Sequence, residues 1–173
     1  MIDEDDILSR YVKPDPDDKT GPVFIAERLK AMPEHQHLQE NEISIEYLMR
    51  PGDIHRGNKR VLATTHEPSV QGRLKDLFEM LLVGYLGHMP DFLIVFDAEF
   101  WMQASDIEKE ALVFHELSHI QQKLDKYGAP RFNLDGLPVY GLAEHDVTAF
   151  RSEVKRYGAW SEDLREFLKA ATG

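Results

Sequence analysis

The sequence predicts an α+β fold in which a small mixed sheet packs against a long central helix, with further helices around it. Three observations predict it. Phe92-Leu93-Ile94-Val95-Phe96 is a compact apolar, β-rich run bounded by turn residues, the pattern of a buried strand. Ser105-Asp106-Ile107-Glu108 is a Ser-x-x-Glu capping box, followed by Ala111, Phe114, Leu117, Ile120 and Leu124 at helical spacing. Ile43, Ile45 and Tyr47 alternate with polar residues, the period of a half-buried strand.

The remaining elements follow in order. Residues 1–20 carry seven acids and two prolines and read as a loosely ordered lead-in to one domain spanning 21–173. Pro22 sits in the first turn of a helix bearing Val23, Ile25, Ala26, Leu29 and Met32, which Pro33 and a polar stretch to Asn41 end. Pro51-Gly52-Asp53 closes the Ile43 strand, and Val61 to Thr65 is its expected partner. Val70, Leu74, Leu77, Phe78, Leu81 and Leu82 mark an amphipathic helix over 69–85, broken by Gly84, Gly87 and Pro90. The capped helix should run from Ser105 to about Lys126, where Gly128 and Pro130 stop it. A long loop over 128–144 is expected next, of a length at which loops are usually functional or disordered. Val147, Phe150, Val154 and Tyr157 give a further helix ending at Gly158, and Ser161 caps a last one bearing Leu164, Phe167 and Leu168. No internal repeat or low-complexity tract is visible.

Composition excludes whole classes of function. With 42% apolar and 29% charged residues in 173, a true core is available and general disorder is excluded. No apolar run approaches the roughly 18 residues of a membrane span. The acidic start Met1-Ile2-Asp3-Glu4 is unlike a signal peptide, so a cytoplasmic location is expected. There is no cysteine, so any metal must be held by His, Asp or Glu. Twenty basic against 31 acidic residues leave a net charge of −11, which repels phosphate backbones and anionic membranes. Neither is an expected partner. The basic run Arg50, Arg56, Lys59 and Arg60, with Arg73 and Lys75, reads as a solvated face. His35 and His37 read as a solvated loop, His55, His66 and His88 as structural or exposed, and Trp101 and Met102 as core.

Inside the capped helix stands His115-Glu116-Leu117-Ser118-His119. Residues four apart lie one helical turn apart on one face, so two imidazoles there can bind one zinc ion. Glu116 lies about 100° round the helix, beside the ligands, where it can take a proton from an activated water. A catalytic zinc wants a third protein ligand. Glu144-His145-Asp146 follows the long loop, and all three side chains can bind zinc. His145 is preferred because imidazole suits zinc, with Glu144 or Asp146 as alternatives. Asp146 could instead cap the following helix or fix the tautomer of a ligand histidine. Tyr140 is a candidate donor to a developing oxyanion, the alternative being a ring packed on the core.

His115-Glu116-Leu117-Ser118-His119-Ile120, then His145-Asp146-Val147-Thr148-Ala149-Phe150 and Gly158-Ala159-Trp160, resembles the phage metallopeptidases, small domains from phage and prophage genomes. The resemblance covers residues from about 92 to 160, and in layout the family is similar to SprT-like proteins. The resemblance implies a zincin-like fold and one catalytic zinc per chain, with His115, His119 and His145 as ligands and Glu116 as base. It also implies a protein or peptide substrate met in the cytoplasm of a bacterial host, with the sheet edge above the site pairing with extended substrate. The acidic balance and the lack of an appended DNA-binding zinc module set a DNA-linked role aside. Two other readings stay open: a non-catalytic zinc-binding domain acting as decoy or inhibitor, and a zinc hydrolase of non-peptide amides or esters.

Overall fold

The computed structural model describes residues 10–52, 54–145 and 149–173. Asp53, Asp146, Val147 and Thr148, and the first nine residues of the acidic lead-in, lie outside the described residues. The elements, in chain order, are α1 (Pro22–Lys30), α2 (Gln36–Glu40), β1 (Ile45–Arg50), β2 (Ile54–Arg56), β3 (Lys59–Val61), β4 (Ala63–His66), α3 (Lys75–Leu86) and β5 (Phe92–Asp97). There follow α4 (Ala98–Gln103), α5 (Asp106–Ser118), β6 (Ile120–Gln122), β7 (Tyr140–Leu142), α6 (Arg151–Tyr157) and α7 (Glu162–Thr172). The α+β class holds: seven helices surround small sheets among the described residues. None of these helices is long and apolar enough to cross a membrane.

The main sheet is mixed, in the order β1-β5-β4. Apolar β5 is its centre, with β1 parallel on one side (Ile45 opposite Phe92) and β4 antiparallel on the other (Ala63 opposite Phe96). The strand expected around 61–65 pairs with β5 and not with the Ile43 strand. Strand alternation divides the core. Tyr47, Met49, Phe92, Ile94 and Phe96 face α1 and α5, whereas Leu48 and Val95 meet Leu86 of α3 on the opposite face. Arg56-Gly57-Asn58-Lys59 is a two-residue hairpin joining β2 to β3, with Gly57 at φ +65°.

Helix α5 opens as its sequence dictates. The Ser105 hydroxyl accepts from Glu108 N–H at 3.4 Å, and the Glu108 carboxylate accepts from Ser105 N–H at 2.8 Å. Ser105→Ala is expected to lower stability by about 1 kcal/mol. The reading is the urea midpoint at unchanged slope. The helix ends at Ser118, well short of Lys126. Pairing with the returning chain wins over the helical period: Ala143 N–H donates to His119 O at 2.6 Å, and Lys123 N–H to Val139 O at 2.7 Å. Gln121 also caps the freed Ser118 carbonyl at 2.9 Å. The expected 128–144 loop is therefore largely a hydrogen-bonded arm returning along β6.

Other expectations are corrected by burial. Arg50 is not on a solvated face: it is buried, donates to Gly52 O at 2.7 Å and to Val61 O, and lies 3.6 Å from the buried Asp97 carboxylate. Arg60 meets the same carboxylate through two nitrogens at 2.9 and 3.0 Å. That pairing, with Phe100 N–H, supplies the hydrogen bonds a buried carboxylate requires. The polar stretch after Pro33 holds α2, and His35 at its start is buried, its Nε2 3.0 Å from Ser118 Oγ. The one Ser118 hydroxyl proton goes to Phe114 O, so His35 donates, and burial pushes its pKa down to about 4. Trp101 is core as expected, but Met102 is exposed.

Candidate metal centre

His115 and His119 project from the last turn of α5, and the arm brings His145 back to them. His145 Nε2 lies 2.9 Å from His115 Nε2 and 3.1 Å from His119 Nε2. Phe150, just before α6, sets its ring edge-on against all three imidazoles, with centroids 4.9 to 5.4 Å away. Without an ion, a single proton on His145 Nε2 would have to serve both of the other nitrogens. His119 Nδ1 lies 2.7 Å from the Ala143 carbonyl, which can only accept, so Nδ1 carries the proton and Nε2 is a bare lone pair. His115 Nδ1 is held 2.7 Å from Glu153 Oε2, which orients its Nε2 in the same way. Three such nitrogens fit a cation. Nitrogens at 2.0–2.1 Å from tetrahedral zinc stand about 3.3 Å apart, close to the separations found.

The protonation tendencies of His119 and His145 favour neutral rings, and that of His115 runs the other way. Burial lowers the pKa of His119, against the Ala143 carbonyl, and lowers that of His145, where the other two imidazoles add to the effect. Burial works against protonation of His115 too, but the Glu153 and Glu116 carboxylates outweigh it and raise its pKa. Glu116 is only 3% exposed. Burial raises its pKa above the ordinary carboxylate range, partly offset by His115 and by Thr65. The Thr65 hydroxyl, on β4, lies 2.7 Å from Glu116 Oε2 and fixes that carboxylate from the sheet side.

A family model described as "Putative phage metallopeptidase" matches residues 18–172, nearly the whole chain. The chain belongs to that family. No curated protein and no solved structure matches it.

Among the residues singled out from the sequence, His115, His119 and His145 come together with donor atoms within 4.8 Å of one another. Glu116 lies beside them on α5. Glu144 is exposed, and Asp146 lies outside the described residues. The carboxylate that orients a ligand-candidate histidine is Glu153, a residue the sequence reading missed. The Tyr140 ring stacks on His37 and its hydroxyl accepts from Asn41 at 2.9 Å. His37 is not solvated either, since its Nε2–H donates to Ile120 O at 2.9 Å. Thr65 was also missed. It is an ordinary strand threonine whose register alone aims it at Glu116.

Proposed function

We propose that this protein is a zincin-type, zinc-dependent peptidase that hydrolyses peptide bonds, with one ion per chain held by His115, His119 and His145. The observation that carries the reading is the convergence of three imidazole Nε2 atoms, two with their Nδ1 atoms engaged by Ala143 O and Glu153. A zinc ion bound there supplies Lewis acidity, lowering the pKa of a water and polarising a carbonyl. The protein's own groups do the rest. Glu116, fixed by Thr65, takes a proton from the attacking water as its oxygen bonds to the scissile carbon. The same carboxyl returns that proton to the leaving amine as the C–N bond breaks. β4 is an outer strand of the sheet and carries Thr65, so an extended substrate adding to that edge would run beside Glu116. The base also speaks against a decoy or inhibitor, since a purely structural ion has no use for a buried carboxylate beside an open position.

The test is metal content by mass spectrometry together with casein cleavage. About one zinc per chain is expected, with casein cleavage lost on 1,10-phenanthroline treatment, restored by zinc, and metal content falling in His145→Ala. Metal-free protein that still cleaves, or wild type that retains no zinc, refutes the assignment.

A further inference from the structure

Between β6 and β7 the chain makes two turns of the same build, eight residues apart. In the first, Asp125 Oδ1 accepts from the N–H groups of Tyr127 (2.8 Å) and Ala129 (3.0 Å), Asp125 N–H donates to Ala129 O at 2.8 Å, and Gly128 N–H to Asp125 O at 3.0 Å. In the second, Asn133 Oδ1 accepts from Asp135 and Leu137 (both 2.9 Å), Asn133 N–H donates to Leu137 O at 2.8 Å, and Gly136 N–H to Asn133 O at 3.0 Å. Gly128 and Gly136 take the left-handed conformation at φ +82° and +77°, which favours glycine. Pro130 and Pro138, two residues on, form bridges to Leu124 and Phe132. Residues 124–131 and 132–139 are thus two copies of one unit, apolar-Asx-x-x-Gly-apolar-Pro-x, a short internal repeat where the sequence predicts none. Arg131 N–H to Lys123 O at 2.8 Å and Val139 N–H to Arg131 O at 3.0 Å lace the copies together.

This ordered backbone holds apolar side chains out in water. Leu134 is fully exposed (105%) and Tyr127 is 81% exposed, and Leu124, Phe132, Leu137 and Leu142 are exposed as well. The fold gains nothing from them there, and clustered exposed apolar groups mark contact surfaces. The arm is also continuous with the metal centre. β6 begins immediately after His119, and β7 ends immediately before Ala143, whose carbonyl holds His119. We propose that this two-turn arm grips an apolar, extended segment of a polypeptide substrate beside the three histidines, an inference that rests on the peptidase reading. A second copy of the chain is the poorer occupant, since two bodies at −11 repel each other. The arm itself is the local exception, with Lys123, Lys126 and Arg131 against Asp125 and Asp135.

The test measures binding apart from catalysis. Zinc-loaded Glu116→Gln protein is titrated into fluorescein-labelled β-casein and followed by anisotropy, with and without the added pair Tyr127→Ser and Leu134→Ser. Both side chains face water and neither closes a turn hydrogen bond, so the fold and metal content should be unaffected. The expected result is a Kd at least about tenfold weaker for the double substitution. In the active chain the same pair should raise KM for casein with kcat nearly unchanged. An unchanged Kd, no casein binding by the parent, or self-association lost with the pair would each overturn the proposal. The two readings fail separately: weakened binding with no cleavage by any form sinks the peptidase and keeps the arm. Cleavage with unchanged Kd does the reverse.

Discussion

Glu116→Gln is expected to lower the turnover of casein by about 10²- to 10⁴-fold, the usual contribution of a positioned general base, while zinc content stays at one ion per chain. The substitution isolates one property. Glutamine keeps the size of the side chain and an oxygen that can still accept from the Thr65 hydroxyl, now 2.7 Å from Glu116 Oε2. What it removes is the ability to take a proton and give it back. Because Glu116 is not one of the grouped donor residues, metal affinity should be untouched. A neutral amide in this buried place also relieves the desolvation that raises the Glu116 pKa, so thermal stability should hold or rise slightly. Turnover within tenfold of wild type would remove Glu116 from the role of base. Loss of metal along with activity would make it a ligand.

The parts of this site written locally in the chain could be read from it, and the parts assembled across the fold could not. His115, Glu116 and His119 are legible because helical spacing fixes their relation within one turn, and the capping box at Ser105 guarantees the helix. His145 was reachable by ligand chemistry, as an imidazole in the next polar cluster. Glu153 and Thr65 carried no such signal. Glu153 meets His115 across 38 residues and Thr65 meets Glu116 across 51, through packing that no periodicity encodes. The arm was misread for a related reason. Ile120 and Leu124 continue the α5 stripe in register, so sequence alone extends the helix, whereas hydrogen bonds from the chain returning at Val139 and Ala143 stop it at Ser118. The sheet shows the same division. β5 declared itself by its continuous apolar run, yet its partners depended on long-range pairing, which placed the Val61–Thr65 segment beside it.

Glu153 should matter twice, once to the fold and once to the metal. Its carboxylate is fully buried and takes three donors: His115 Nδ1 at 2.7 Å, Trp160 Nε1 at 2.6 Å and Phe150 N–H at 3.2 Å. Glu153→Ala strands all three, and the loss of stability should reach about 3–5 kcal/mol, the range for breaking a buried charged partnership. Glu153→Gln is the sharper probe. Its amide offers one acceptor where the carboxylate offered two, so the NH₂ group faces either Trp160 or the pair His115 and Phe150 N–H, which share Oε2. The indole cannot move its proton, whereas in the second arrangement the imidazole can shift its own from Nδ1 to Nε2. That tautomer points a proton at the other two histidines and no longer binds metal. Zinc affinity should therefore fall about 10- to 100-fold, as when other groups that orient a ligand histidine are lost. Urea melts of metal-free and zinc-loaded protein separate the two effects. The metal-free curves report the packing loss alone, and the gap between loaded and metal-free protein reports affinity. A 100-fold weaker site narrows that gap by about 2.7 kcal/mol at saturating zinc. If Glu153→Gln lowers the metal-free stability but leaves the gap intact, Glu153 supports α6 and Trp160 only, and His115 is oriented without it.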